Sequence, residues 1–290
     1  MSKRNTTTAA EPVKDQVVKT AEKAVAVVAD KNTAVTAPAP PAADIDFAAD
    51  AGLGVAFGAT DLAIPFLVIL QKNSPQVDED NPKYLRDAKA AMIYNTVTGE
   101  LFDGKTKGVL VVPTGYQKKY VEWISRDDGG GFVGQHEAES DAVRACRLND
   151  RGKLETPDGH QMIETAYHYV VLIDPNNGSS QWAVISMASS QLKKSRKWNT
   201  LIAGITMTKN GQTFKPPIFS HMYQLKTVLE QKDTNTWYGW DINNAGIVSD
   251  RRVYDSAKQY CQALLEGSVR VTAPPAVDAE ETGGTERVPF

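Results

Sequence analysis

The chain has 290 residues and a formal net charge of −3, and this length predicts one or two domains. Two cysteines, Cys146 and Cys261, exclude a disulfide framework and favour a reducing compartment, so we expect a cytoplasmic protein. The best apolar run, Leu62–Leu70, is much shorter than the ~20 residues of a membrane span. The N-terminal residues also lack the uninterrupted apolar core of a signal peptide.

The first predicted segment is an N-terminal arm, residues 1–57. Its first 55 residues are rich in Ala, Thr, Val, Lys and Pro and contain no Tyr or Trp, and Ala37–Pro41 has the composition of a linker. A weak helix over Val13–Ala29 would bury little beyond Ala and Val side chains. Because such burial does not offset the entropy lost on ordering, the sequence predicts a disordered arm.

The folded region, which we expect to span residues 58–267, begins with short elements. Thr60 or Asp61 has the side chain of a helix N-cap, so the apolar run that follows predicts a helix packed on the body. Two short runs on either side of a turn with Thr and Gly, Met92–Tyr94 and Glu100–Phe102, predict a hairpin.

A long strand is predicted at Gly108–Ile124. Pro113 and Gly115 interrupt its pattern and indicate a bulge or a sharp bend. A long, bent first strand is what a small closed sheet needs. Side chains in a strand alternate between its two faces. Beyond the bend, one face is therefore expected to carry Tyr116, Lys118 and Tyr120.

The next stretch, residues 125–164, is rich in Gly, Asp and Glu and predicts an inserted loop region with a short helix near Ser140–Leu148. It contains Asp127–Asp128 and His136–Glu139, whose side chains are of the kinds that bind metals. Since both stretches lie in a glycine-rich polar region, we expect solvated loops there and no metal site.

The middle of the domain, Ala166–Ile205, predicts a strand, a turn, a second strand and a basic helix. The strands are Ala166–Ile173 and Gln181–Met187, and the turn is Asp174–Gly178. Four bases within five helical positions are unusual for a face that only solubilises, since such faces mix signs. The buried stripe of the helix would be Leu192, Trp198, Leu201, Ile202 and Ile205. Its outward side would be Lys193, Arg196, Lys197 and Thr200.

Two strands and a closing helix complete the folded region. The strands are predicted at residues 218–231 and at residues 237–248. Ser249 or Asp250 caps a helix over Arg251–Leu265, which ends before Gly267. The apolar positions expected to face the body are Val253, Ala257, Tyr260, Cys261 and Leu264.

The order of three strands, a helix and two strands is that of an oligonucleotide/oligosaccharide-binding (OB) barrel. The predicted fold class is therefore mainly β, a five-stranded OB-fold-like barrel elaborated by flanking helices and disordered termini. A sandwich would fit the strand count but would not place a helix between the third and fourth strands.

Single-stranded nucleic acid is bound by a positive groove and by aromatic faces on which bases stack, at about 1–3 kcal/mol per base. Both ingredients are interleaved on the predicted strands and the basic helix. Strand aromatics are also typical of a core, and the neighbours of Tyr167 and Tyr169 do not distinguish their two faces. The candidate DNA-binding residues are Tyr116, Lys118, Lys119, Tyr120, Tyr167, Tyr169, Trp182, Lys193, Lys194, Arg196, Lys197 and Trp198.

Residues 268–290 predict a disordered acidic tail. Within it, residues 273–290 hold four acids and one base, which account for the net charge and leave a neutral body with clustered bases. The carboxylates would attract a basic rim on another protein, and the final Phe would enter an apolar pocket. The candidate partner-binding residues are Asp278, Glu280, Glu281, Glu286, Pro289 and Phe290.

The Val-Pro-Phe end at 288–290 resembles the Pro-Phe tip of bacterial single-stranded DNA-binding proteins. It is also similar to the acidic, Phe-ended tail of phage T7-type single-stranded DNA-binding proteins. With its barrel order, the chain resembles a phage-encoded member of that class. The resemblance implies a protein of the host cytoplasm whose tail recruits replication or recombination proteins and competes with DNA for the basic groove.

We therefore expect a non-enzymatic, sequence-independent single-stranded DNA-binding protein that acts in phage DNA replication, recombination or repair and needs no cofactor. The chain has no HExxH or GxSxG motif. Two alternatives stay open: a virion structural or assembly protein whose aromatic residues are core, and a metal-dependent nuclease. The oligomeric state also stays open.

Overall fold

The computed structural model describes residues 61–125, 128–174 and 178–269, and the single residues 49, 53, 54 and 271. All helices and strands given below belong to the unit that spans residues 57–290. In the unit of residues 1–56, the described residues Ala49, Leu53 and Gly54 are exposed turn residues. The predicted N-terminal arm and acidic tail lie almost entirely outside the described residues.

The fold is mainly β, and its centre is an antiparallel pair of long strands, β4 (Val109–Ile124) and β8 (Gln161–Ile173). Strand β9 (Ser180–Ala188) pairs with the other edge of β8. Strands β12 (His221–Lys232) and β13 (Asn235–Ile247) form a hairpin, and β12 pairs with the first residues of β4. Across the described residues the long strands lie in the order β13-β12-β4-β8-β9, and the sheet curls into a half-barrel.

The predicted bend in the first long strand is confirmed. The register between β4 and β8 shifts between Pro113 and Gly115. A Cβ at Gly115 would lie 2.8 Å from Leu264 Cδ1, so the glycine admits a helix side chain close to the bend. Because β4 bends, its first part pairs with β12 and its last part with β5 (Gly131–His136).

The apolar run after Asp61 is not the predicted helix; it contains strand β1 (Leu67–Ile69). Pro65 has no N–H for a helical hydrogen bond, and its carbonyl accepts from the Val184 amide on β9 at 2.9 Å. At the other end, the Gln71 side chain bonds the backbone N–H and C=O of Tyr238 at 2.8 and 2.9 Å. The segment therefore bridges the edges of β9 and β13.

Strand β1 also forms a small sheet with β2 (Ile93–Asn95) and β3 (Leu101–Phe102). The pairing of β2 with β3 confirms the hairpin predicted around the turn between them. Ile93 and Phe102 are buried in the same apolar cluster as Leu67, so this sheet covers part of the half-barrel.

The predicted loop region between β4 and β8 is more regular than expected. Strand β5 pairs with the last part of β4, where an unpaired edge would otherwise be exposed. The expected short helix is present as α1 (Asp141–Ala145), with Ser140 as its N-cap. Two short paired strands follow, β6 (Arg147–Leu148) and β7 (Leu154–Glu155), and β7 reaches the start of β8.

Helix α2 (Leu192–Ala203) lies between β9 and β12, as predicted. We call the side of the sheet that it covers the α2 face. Trp198 is fully buried there, whereas Leu201, expected in the buried stripe, is 38% exposed. A hairpin of β10 (Met207–Lys209) and β11 (Gln212–Phe214) follows the helix.

Helix α3 (Arg251–Leu265) covers the opposite side, which we call the α3 face. Asp250 caps it by accepting a hydrogen bond from the Arg252 amide at 2.7 Å. The predicted apolar positions of this helix are confirmed as its packing side. Val253, Ala257 and Tyr260 are buried, and Cys261 and Leu264 pack against the same cluster. Across the described residues, no helix has the length and apolar character needed to cross a membrane.

Candidate nucleic-acid interface

Tyr116 is the aromatic side chain of the predicted set that is exposed on the α2 face. It lies just beyond the bend of β4, directly opposite His168 on β8, and 41% of its surface is exposed. Its ring centroid is 5.2 Å from that of His168, which stacks on Trp198 at 4.5 Å and 18°. The exposed ring therefore rests on buried rings that limit its motion and leave one side open to solvent.

Trp198 and His168 form the buried base of this arrangement. Trp198, predicted to contact DNA, is 0% exposed and is part of the core, because helix α2 presses it against the sheet. Burial lowers the pKa of His168 to about 3, so the ring is neutral at physiological pH. His168 Nε2 lies 2.8 Å from the Ser195 hydroxyl on α2, which ties the helix to β8.

Three more predicted residues converge on one carboxylate, that of Glu164 on β8. Lys118 Nζ lies 3.9 Å from a Glu164 oxygen, and Arg196 reaches the same oxygen from helix α2 at 4.0 Å. The Tyr120 hydroxyl donates to the other oxygen at 3.5 Å. The register explains the convergence, because Tyr120 lies directly opposite Glu164 and the side chain of Lys118 alternates onto the same face.

These contacts to Glu164 are long and partly exposed, with 44% of the Lys118 side chain and 63% of the Arg196 side chain accessible. Exposed pairs of this kind contribute about 0–1 kcal/mol. A phosphate could therefore replace the carboxylate as partner of both cations at little cost. Burial, and then the charge of Glu164, raise the pKa of the Tyr120 hydroxyl, so it stays a hydrogen-bond donor.

The remaining bases of helix α2 divide into two sets. Lys193 and Lys197 are exposed, as predicted. Lys194 instead pairs with Glu230 on β12 at 2.8 Å, and the same carboxylate accepts from the Trp237 indole at 3.0 Å. Lys194 therefore joins the helix to the β12–β13 hairpin rather than to the surface around Tyr116.

Three of the predicted stacking residues lie on the α3 face, and the structure places them in its core. Tyr167 is 1% exposed and Tyr169 is 5% exposed. Trp182 is half-buried, stacked on Tyr260 of helix α3 at 4.4 Å and 5°. Tyr169 also meets Tyr260 edge-on at 6.1 Å, and Tyr167 packs against Phe66 at 6.3 Å. Their predicted role as exposed stacking rings is corrected to one in packing.

Lys119 also points away from the surface around Tyr116. It follows Lys118 in β4, so its side chain lies on the opposite side of the sheet, where it pairs with Glu137. Gln117, on that same side, accepts a hydrogen bond from the Tyr169 hydroxyl at 2.9 Å. The predicted basic and aromatic set is thus split between two faces, and the α2 face keeps Tyr116, Lys118, Tyr120, Lys193, Arg196 and Lys197.

The structure also contains a polar cluster that sequence reasoning missed. Glu122 accepts from His136 Nε2 and from His160 Nδ1, both at 2.7 Å. Burial raises the pKa of Glu122, but the two histidine hydrogen bonds outweigh it and leave the pKa below its ordinary value. The three residues come from three separate segments, so no spacing in the sequence links them. The signal that could have found them is Glu122 itself, a carboxylate in an otherwise apolar end of a strand.

Two other predictions concern metals and partners. Within the described ranges, no group of three or more His, Cys, Asp or Glu side chains could hold a metal ion. The predicted partner-binding residues all lie outside the described residues: Asp278, Glu280, Glu281, Glu286, Pro289 and Phe290.

Comparison with known proteins gives one match. The family model for the Pam3 phage gp34-like protein matches residues 31–270. The chain belongs to this family. The match covers every described helix and strand, and the family name indicates a phage origin. No curated protein and no solved structure matches the chain.

Proposed function

We propose that this member of the Pam3 phage gp34-like family is a non-enzymatic single-stranded DNA-binding protein that acts in phage DNA replication, recombination or repair. The observation that carries the proposal is the surface around Tyr116. There, an exposed aromatic ring backed by buried rings lies on the same face as two cations that share one weakly held carboxylate. A stacking platform and a positive track are the two requirements for binding single strands.

The topology supports the same proposal. Three antiparallel strands, a helix and a two-stranded hairpin that returns to the first strand follow one another as in an OB-fold-like barrel. The β9 and β13 edges are not paired directly over the described residues; the β1 segment lies between them. We infer an OB-like barrel in which this extra segment replaces part of the closing ladder.

The proposed strand would run along the α2 face, with a base on Tyr116 and phosphates near Lys118 and Arg196. Every base has a ring face, and phosphates are the same in every sequence, so binding would be largely independent of sequence. Neutralisation of strand phosphates by Lys118 and Arg196 would release counterions from the DNA, which makes the affinity fall as salt rises. The proposal therefore predicts both a low sequence preference and a strong salt dependence.

The test is a fluorescence-anisotropy titration of labelled oligo-dT at several salt concentrations. We expect saturable binding that weakens with salt, and a marked loss of affinity in Tyr116→Ala/Arg196→Ala. The matched control is Lys258→Ala, which removes one exposed base from helix α3 on the other side of the sheet. Absence of binding at low salt would reject the proposal, as would equal effects of the double variant and the control.

A further inference from the structure

The cluster of Glu122, His136 and His160 lies at the far end of the face that carries Tyr116. Glu122 follows Tyr120 by two residues on β4, so their side chains share one face. His136 on β5 is directly opposite Tyr120, and directly opposite residues of antiparallel strands lie side by side on the same face. The surface around Tyr116 and this cluster therefore form one continuous face along β4.

The hydrogen bonds to Glu122 determine which ring nitrogen of each histidine carries the proton when both rings are neutral. An ionised carboxylate only accepts, so His136 Nε2 and His160 Nδ1 each carry a proton that they donate to Glu122. The other nitrogen of each ring then has a free lone pair and is the site that a further proton takes. About a quarter of each imidazole is exposed, 23% for His136 and 27% for His160, whereas 11% of the Glu122 side chain is exposed.

Protonation would reverse the charge of the cluster. With both rings neutral, Glu122 makes it a single negative charge, which repels a phosphate. With both rings protonated, two cations surround one carboxylate and the cluster carries a single positive charge. Histidine is the side chain whose unperturbed charge change falls between about pH 5 and 8, a range that a cell can reach.

The other groups around Glu122 do not cancel such a change. From the segment after α1, Cys146 faces the cluster, and burial first and the charge of Glu122 second raise the pKa of its thiol, which stays neutral. Arg147 on β6 and Glu155 on β7 are opposite in register and carry opposite charges, and the Arg147 guanidinium donates to the Cys146 carbonyl at 2.8 Å. The other titratable neighbours on the strand face are the neutral Tyr120 hydroxyl, the Glu164 carboxylate and the two cations that share it, Lys118 and Arg196.

We propose that His136, Glu122 and His160 form a phosphate-binding subsite for the DNA strand, and that this subsite is occupied when both histidines are protonated. The inference rests on the proposed function and names a further contact of the same face. It extends the positive track from Arg196 and Lys118 past Tyr120 to the end of β4. Affinity for single-stranded DNA is then higher at pH 5.5 than at pH 7.5.

The remaining two histidines of the chain provide the comparison. Burial keeps His168 neutral throughout this range, since its pKa is about 3. His221 is partly exposed and lies at the start of β12, beside the Ser220 hydroxyl. Strand β12 pairs with the first residues of β4, at the end opposite to Glu122. His221→Gln therefore removes a partly exposed histidine without touching the subsite.

The test measures oligo-dT affinity of the full chain at pH 5.5 and 7.5, for the wild type, for His136→Gln/His160→Gln and for His221→Gln. Charge-assisted hydrogen bonds predict about a tenfold or larger gain in wild-type affinity at the lower pH. One added phosphate contact also steepens the salt dependence by about 0.7 in log–log slope. The double variant should lose both effects, whereas His221→Gln should retain both.

The outcomes separate this inference from the proposed function. Binding whose pH dependence is the same in the double variant as in the wild type would overturn the subsite and leave the proposed function intact. Absence of binding at both pH values would overturn both. Proton NMR titration of the histidine rings provides a readout without DNA: His136 and His160 should titrate as a coupled pair that Glu122→Gln uncouples, and independent titration in the wild type would contradict the cluster.

Discussion

The two faces of the β4–β8 sheet are built from the same two strands but differ in what they leave exposed. On the α2 face, Tyr116 lies over the buried His168 and keeps one ring side open. On the α3 face, Tyr169 is covered by Tyr260, whose ring meets it edge-on at 6.1 Å. The difference comes from the helices, because α3 packs Tyr260 against Tyr169 and Trp182, whereas the ring beside Tyr116 is the buried His168 and one side of Tyr116 stays exposed. The packing of a helix, and not the strand sequence, decides which of these rings stay exposed.

The largest effect that sharpens this comparison is expected from Tyr260→Ala. Tyr260 is fully buried between Trp182 and Tyr169, so its removal leaves a cavity. Loss of a buried aromatic side chain should lower the free energy of unfolding by about 3–5 kcal/mol, measured by urea denaturation. Leu265→Ala at the exposed end of the same helix is the control and should change stability little. A stability like the wild type would contradict the packing role of the α3 face.

The opposite pattern is expected for Tyr116→Ala. Losing one stacking ring should weaken oligo-dT binding by about 1–3 kcal/mol, while the free energy of unfolding changes by less than in Tyr260→Ala, because 41% of Tyr116 is exposed and Tyr260 is fully buried. Anisotropy titration and urea denaturation of the same preparation measure both. An unchanged affinity would remove Tyr116 from the proposed interface.

A smaller change, in salt dependence, is expected for Arg196→Ala. Removing one phosphate contact should reduce the slope of log affinity against log salt by about 0.7 for a single strand. Lys258→Ala on α3 removes the same charge from the other side and should leave the slope unaltered. Equal slopes for the two variants would indicate that binding depends on the net charge of the protein and not on the cations of the α2 face.

The smallest effect is expected at Glu122 and concerns the decrease in the free energy of unfolding at acidic pH. Its pKa in the folded chain lies below the ordinary value of 4.5, because the hydrogen bonds from His160 and His136 outweigh burial. A lowered folded pKa gives stability that is present above pH 4.5 and is lost as pH falls through the folded value. Glu122→Gln should therefore flatten the loss of stability below pH 4.5 in urea titrations. The same loss of stability below pH 4.5 in the wild type and in Glu122→Gln would contradict the assigned hydrogen bonds.

Much of the fold followed from local signals in the sequence. Pro113 and Gly115 identified the bend because neither residue fits a regular ladder, and the helical spacing of Val253, Ala257 and Tyr260 identified the buried side of α3. The helix predicted after Asp61 was wrong. The segment forms strand β1, which pairs with β2, and its flanking residues Pro65 and Gln71 contact β9 and β13, which are distant in sequence. Pro65 was the local warning, because it blocks a helical hydrogen bond.

The candidate site was less predictable. Tyr167 and Tyr169 could not be assigned to a face, because they alternate with His168 and Val170 and the two faces do not differ in polarity. Strand alternation alone places Lys118 and Lys119 on opposite faces of the sheet. The contact of Lys118 and Arg196 with the same carboxylate, Glu164, depends on the position of α2 and could not be predicted. The Glu122 cluster needed the β4–β5 register, which no local pattern contains.

The most direct test of the central claim, that DNA lies on the α2 face, is photo-crosslinking of an iodouracil-containing oligonucleotide to the full chain, with the crosslinked residue identified by mass spectrometry. Iodouracil reacts with the aromatic ring it touches. The account predicts crosslinks at Tyr116 or Tyr120 that disappear at high salt. Crosslinks at Trp182 or Tyr260, beneath and on helix α3, would contradict it.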